Sequence, residues 1–157
     1  MSASHPEIRW HWKAFTELSV DELYAVLKLR TDVFVVEQHC AYPELDDRDQ
    51  KVMHLMGWAG ERLVAYLRLL PPEISPSGQL ALGRIVTAPD VRKFGIGSVL
   101  VRYGIDYAQQ TWPALPIRIA AQEHLRDFYA GFGFKAISES YLEDGIPHID
   151  MELGAIA

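Results

Sequence analysis

The stretch best equipped for chemistry runs from Leu80 to Val101, LALGRIVTAPDVRKFGIGSVLV. An apolar run that reads as a buried strand ends at a Pro-containing turn. Arg92, Lys93, Phe94, Gly95, Ile96, Gly97 and Ser98 then open a helix. A helix start leaves its first N–H groups unpaired and carries partial positive charge, so it favours a bound phosphate. Glycines at 95 and 97 allow close backbone approach and positive φ, and Arg92 and Lys93 place two cations beside those N–H groups. The segment reads as a diphosphate cradle. It is not the dinucleotide fingerprint, because Leu100 occupies the place of the third glycine. Nor is it a P-loop, since no Gly-Lys-Ser/Thr closes it. The plainer alternative is a tight helix entry with solvated cations nearby.

A second stretch, Ala120 to Lys135 (AAQEHLRDFYAGFGFK), carries Tyr129 on a helix just before Gly131, Gly133 and Phe134. In open α/β sheets ligands collect at the carboxyl ends of strands, where this tyrosine is expected. A phenol with an ordinary pKa near 10 holds its proton at neutral pH and can give it to a thiolate leaving group. The alternative is that Tyr129 packs the helix on the sheet with Phe128 and Phe132.

The elements that must position these groups follow from periodicity and punctuation. Trp10–Phe15 suggests a short strand, and Ser19 with Glu22 forms a capping box for a helix from about Val20 into the mid-thirties. His39–Gln50 reads as an acidic loop. Met53–Trp58 and Leu63–Leu70 flank a turn containing Gly60 and read as a hairpin. Leu80–Val86 returns as a strand and Ile96–Thr111 as an amphipathic helix. Pro116–Ala121 is a strand and Glu123–Phe132 a helix stopped by Gly133. Phe134–Ser138 and His148–Leu153 read as strands joined by a loop with Asp144, Gly145 and Pro147. This order predicts one α/β domain with a mixed sheet over residues 1–157.

Composition narrows the function classes. The chain has 157 residues, 49% hydrophobic and 23% charged, a globular balance. A net charge of −6 has the wrong sign for a general nucleic-acid binder. The single cysteine, Cys40, leaves no internal disulfide and no Cys-clustered zinc site. His39 and Cys40 lack a third ligand at telling spacing, so no metal is expected. Arg68 interrupts the apolar run Leu63–Leu70, which is too short to span a bilayer. No leader is legible at the N-terminus, and the expectation is a cytoplasmic protein without membrane attachment.

Taken together, Arg-x-x-Gly-x-Gly at 92–97 after a strand and Tyr129 before Gly133-Phe134 resemble the GNAT acetyltransferase superfamily. The blocks LKLRTDVFVVEQ (Leu27–Gln38), AQEHLRDFYAGFGF (Ala121–Phe134) and EDGIPHIDM (Glu143–Met151) resemble its ElaA-like branch. The resemblance implies splayed central strands and direct, acetyl-CoA-dependent acetylation of a primary amine in a ternary complex. The backbone of Ile85, Val86 and Thr87 would bond the pantetheine arm, and an N–H near Val86 would polarise the thioester. The N–H groups of Phe94, Gly95, Ile96, Gly97 and Ser98 would hold the pyrophosphate, with Arg92 and Lys93 at its edge. Tyr129 would be the general acid. Gln122 stands where many members carry Asn, seven positions before that tyrosine, and is expected at the cofactor with its amide reaching further. For the base that neutralises the amine, Glu37 and His148 are the candidates by chemistry. Asp46, Asp47 and Asp49 would either attract a cationic acceptor or stay solvated. The acceptor is a small-molecule or peptide amine, and the assembly a monomer or a homodimer, the commonest symmetric form. Two alternatives stand beside this: a CoA-binding sensor or interaction module with little turnover, and a transferase using a longer acyl-CoA.

Overall fold

Ser19 starts the first helix as its spacing predicts. Its Oγ accepts from the Glu22 N–H at 3.0 Å, and the Glu22 carboxylate accepts from the Ser19 N–H at 2.8 Å. In the computed structural model, which describes residues 5–157, helix α1 covers Val20–Arg30 and continues as wider π turns over Thr31–Glu37. The Gln38 N–H bonds Val33 O at 3.1 Å and the Cys40 N–H bonds Val35 O at 3.0 Å, both five residues back. The predicted helix therefore reaches its expected length, but its last turns are widened and underwound. Such insertions re-aim the residues that follow them, here Glu37 and Gln38.

The strands are β1 (Arg9–Ala14), β2 (Met53–Ala59), β3 (Arg62–Leu70), β4 (Ala81–Thr87), β5 (Ile117–Gln122), β6 (Lys135–Ala136), β7 (Tyr141–Glu143) and β8 (Ile146–Leu153). They form one sheet in the order β1-β2-β3-β4-β5-β8-β6, with β7 paired to β8. Every pairing is antiparallel except β4 with β5. Helix α2 (Ile96–Thr111) covers one face and α1 the other. On the α2 face Gly104 lies so close that an added Cβ would sit 2.9 Å from Leu67 Cδ2 and 3.2 Å from Leu82 Cδ1, so a side chain there would require these leucines to shift. Trp10 and Trp12 of β1 meet Tyr103 and Tyr107 of α2 with ring centroids 5.4 and 4.4 Å apart. Leu67, Leu69, Leu100 and Ile105 are fully buried between these layers.

Three elements differ from expectation near the C-terminus. The helix read over Glu123–Phe132 is a 3₁₀ turn, Glu123–Leu125, followed by the short helix α3, Arg126–Ala130. The strand read over Phe134–Ser138 reduces to Lys135–Ala136, because Ser138 turns its Oγ to accept from the Asp150 N–H at 2.9 Å. The loop around Asp144 is instead a hairpin joining β7 to β8. Asp144 and Gly145 take φ of 49° and 78°, the paired left-handed geometry that Asp-Gly favours in two-residue hairpins. None of the described helices is long and apolar enough to cross a membrane.

Candidate functional site

β4 and β5 share a single backbone pair, Ala81 with Arg118, and then diverge. A bulge in β4 accompanies the divergence. On β3, Tyr66 faces Val86 and Arg68 faces Gly83, so two steps of β3 oppose three of β4. The extra length is taken up at Arg84, whose φ is 51°. Beyond Ala81, β5 pairs with no residue of β4 among the described residues, so backbone groups of Ile85–Thr87 on that side look into the gap. Buried backbone polar groups require partners, and a gap edged by them suits an extended amide-bearing chain.

Past the end of β4, Pro89–Phe94 makes a 3₁₀ turn and Gly95, at φ 71°, caps α2. No side chain caps that helix. Among the described residues the N–H groups of Ile96, Gly97 and Ser98 have no hydrogen-bond acceptor. Only Gly95 uses the left-handed freedom expected of both glycines. Gly97 is helical, and a Cβ there would approach Thr87 Cγ2 and Phe128 Cζ at 3.9 Å. Gly97 thus faces the space between the end of β4 and α3. The bare N–H groups open beside the β4–β5 gap.

The two cations of this segment are placed differently. Arg92 donates from both terminal nitrogens to the two carboxylate oxygens of Glu37 at 2.7 Å, and also to the Thr87 carbonyl at 3.2 Å. Lys93 lies over the Phe94 ring, 5.2 Å from its centroid. The Arg92 hydrogen bonds, helped by its charge, hold the Glu37 carboxyl below its ordinary pKa against the opposing effect of burial. A carboxylate so stabilised is a weak base.

Tyr129, on α3, is 5% exposed and packs edge-on against Phe128 and Phe134. Its hydroxyl has no hydrogen-bond partner among the described residues, and burial pushes its pKa above the ordinary phenol value. Gln122, the last residue of β5, spends its carboxamide on Gln38. The two side chains exchange hydrogen bonds at 3.1 and 3.4 Å. His148 stands directly opposite Gln122 in the β5–β8 register. Its Nδ1 lies 2.7 Å from the Ile146 carbonyl. A carbonyl can only accept, so Nδ1 carries the hydrogen and Nε2 is left with its lone pair in the neutral ring. Glu143 comes within 3.9 Å of Nε2, and Tyr141 stacks on the ring. Cys40 donates its thiol hydrogen to the Asp144 carbonyl at 3.3 Å, tying the end of the π turns to this hairpin.

The acidic loop behaves unlike a solvated run. Asp49 bridges Arg30 and Arg68 at 2.7 and 2.9 Å, and Asp46 accepts from Arg68 at 2.5 and 2.9 Å. Glu44 accepts from Arg30 and Arg84. Arg30 is fully buried and Arg68 nearly so. Asp46 and Asp49 are therefore committed to internal arginines and not offered to an acceptor, whereas Asp47 is exposed. Sequence reasoning missed Glu44, Arg84 and Gln38. The usable signal was an arginine inside each of two apolar strands, Arg68 and Arg84, which demands buried carboxylates. Among the described residues no three His, Cys, Asp or Glu side chains cluster as a metal site.

A sequence model described as "Acetyltransferase (GNAT) domain" matches residues 20–155. The chain belongs to the GNAT acetyltransferase family. Within that family it falls in the ElaA-like branch. Escherichia coli ElaA is 40% identical over 148 residues, covering 92% of this chain and 95% of that protein. A UPF0039 protein of Schizosaccharomyces pombe is 44% identical over 144 residues, covering 90% and 94%. Among solved structures, an acyl-CoA N-acyltransferase from Pseudomonas aeruginosa superposes with a TM-score of 0.89 at 43% identity, covering 94% of this chain and all of that one. The ElaA crystal structure gives 0.87 at 38%, with 94% and 99% covered. The GNAT fold with its open mixed sheet is thus established, and family membership supports acyl transfer as the class of reaction.

Proposed function

We propose that this protein transfers an acetyl group from acetyl-CoA to a primary amine by direct attack. The observation that carries the reading is the juxtaposition of an unpaired β4 edge with the bare N–H groups of Ile96, Gly97 and Ser98. An extended chain bearing two amides and ending in a diphosphate matches both, the arm adding to the β4 edge as a strand would and the phosphates meeting the helix start. Arg92, shared with Glu37, and Lys93 sit at the rim of that anion site.

In this scheme the backbone N–H of Ile85 donates to the thioester oxygen as charge develops there, a contact that strengthens in the transition state. His148 Nε2 takes the proton of the attacking amine, its tautomer fixed by Ile146. Glu37 is assigned instead to holding Arg92. Tyr129 delivers its proton to the departing sulfur. Its raised pKa is compatible with that role, because the burial that raises a phenol also raises the basicity of a thiolate formed beside it. Gln122 lines the β5 side of the gap through its pair with Gln38.

The test is a panel of small-molecule and peptide amines supplied with acetyl-CoA, read by thiol release and by mass of the product. Saturable release with one amine, and a product heavier by an acetyl group, is expected. Tight CoA binding without release across the panel would favour a sensor. Release only with longer donors would replace acetyl by a larger acyl group.

A further inference from the structure

The β4 bulge is held by one acidic side chain that also holds the end of α1. Glu44 Oε2 accepts from Arg84 Nε at 2.6 Å and from Arg30 Nε and Nη2 at 2.8 and 2.6 Å. Its main-chain carbonyl accepts from the same two guanidinium groups, at 3.0 Å from Arg84 and 3.2 Å from Arg30. The remaining carboxylate oxygen takes the Tyr42 hydroxyl. Glu44 is 5% exposed and Arg30 wholly buried, so these contacts are little weakened by solvent.

Arg30 is the last residue of α1 before the π turns that aim Glu37 and Gln38. Arg84 is the residue that carries the bulge. A non-glycine residue at φ 51° is held in a sparsely populated conformation and stays there only if its surroundings enforce it. The side chain of Arg84 supplies the enforcement: three-quarters buried, it is anchored to Glu44 and lies 5.8 Å from the centre of the Tyr42 ring. Residue 85 and those after it are thereby turned toward the gap where β5 no longer pairs.

We propose that Arg84, clamped by Glu44, is a positioning residue for the acyl donor: it fixes the bulge that presents the Ile85–Thr87 backbone to the gap, and through Glu44 sets that edge against the end of α1. Arg84 touches no reacting atom in this scheme. The inference rests on the reading of the gap as an acyl-CoA cleft.

The deciding variant is Arg84→Gly. Glycine adopts φ 51° without strain, so the backbone can keep its shape while the anchor is lost, and Arg30 still neutralises Glu44. Arg84→Lys keeps the charge without the planar fork. Acetyl-CoA affinity is measured by calorimetry beside thermal midpoints for both variants and the wild type. The expected result is affinity at least 10-fold weaker in Arg84→Gly and weakened in Arg84→Lys, with both proteins cooperatively folded. If both variants bind acetyl-CoA within twofold of wild type, whatever their thermal midpoints, Arg84 is merely structural and the proposal is overturned. Should Arg84→Gly fail to fold, the Arg84→Lys affinity decides by the same criterion. A wild-type protein that takes up no acetyl-CoA removes the cleft reading itself, and this proposal with it.

Discussion

Arg92 and Glu37 meet in a two-point ion pair, both N···O distances 2.7 Å, that links the loop before α2 to the end of the π turns. The residue next to Glu37, Gln38, pairs with Gln122 at the end of β5. Adjacent side chains thus fasten both sides of the diverging strands, Glu37 on the β4 side and Gln38 on the β5 side. A carboxylate in that position is better suited to holding an arginine than to receiving a proton.

The two base candidates should therefore separate kinetically. His148→Gln should lower kcat by roughly 100-fold or more, the usual range for a lost general base. Glu37→Gln should act mainly on the donor, raising the KM for acetyl-CoA with a smaller change in kcat. Steady-state rates of both variants with the amine found by screening check this. A larger kcat loss in Glu37→Gln than in His148→Gln would reverse the assignment.

Tyr129→Phe removes one hydroxyl that bonds to nothing among the described residues, so the fold should lose little. The expected cost is in kcat, about 10–1,000-fold, equivalent to about 1.4–4 kcal/mol of transition-state stabilisation. Single-turnover rates under conditions where chemistry limits are the check. An unchanged rate eliminates Tyr129 as the acid.

Gly97→Trp should weaken CoA binding while leaving the helix intact. A Cβ at 97 fits at ordinary contact distance from Thr87 and Phe128, so a methyl is tolerated, but an indole must occupy the space between β4 and α3. Calorimetry should show CoA affinity lower in Gly97→Trp than in Gly97→Ala, and equal affinities would place the phosphates elsewhere.

Stability should fall as the medium is acidified, in two stages. His54 is fully buried. Its Nε2–H donates to the Asp49 carbonyl at 2.8 Å and its Nδ1 accepts from the Tyr66 hydroxyl at 2.6 Å. Burial, the largest influence, pushes its pKa below the ordinary 6.5. The unfolded chain therefore binds a proton that the native protein refuses as pH drops through about 6.5, and stability declines. For Asp46 and Asp49, burial alone would raise the pKa. The arginines overcome it, Arg68 chiefly at Asp46 and Arg30 at Asp49, and hold both carboxyls below the ordinary range. Their contribution is present above the unfolded value near 4 and is lost below it. Thermal midpoints measured from pH 7 to pH 3 should thus fall first below about 6.5 and again below about 4. A flat profile between pH 7 and pH 5 would contradict the neutral, buried state of His54.

Much of the fold could be read from local signals. The Ser19–Glu22 cap, the hairpin around Gly60 and the strand-to-helix passage at residues 80–101 each follow from short-range spacing. Placing Tyr129 and the glycine segment at a common gap drew on the family resemblance. What stayed hidden depends on contacts between distant segments. Arg84, which carries the β4 bulge, is bonded to Glu44, forty residues earlier. The widening of α1 into π turns shows only in hydrogen-bond geometry. Asp144-Gly145 did carry a hairpin signal, but the adjoining β7 strand has only three residues, too few for alternation to register.

In the proposed function, the gap between β4 and β5 and the start of α2 together hold acyl-CoA. The most direct measurement of this is titration of isotopically labelled protein with CoA, following backbone amide resonances. The largest shifts are expected at Gly95–Ser98 and at Ile85–Thr87, saturating together. Saturable binding that leaves both segments unmoved and shifts resonances elsewhere would contradict it.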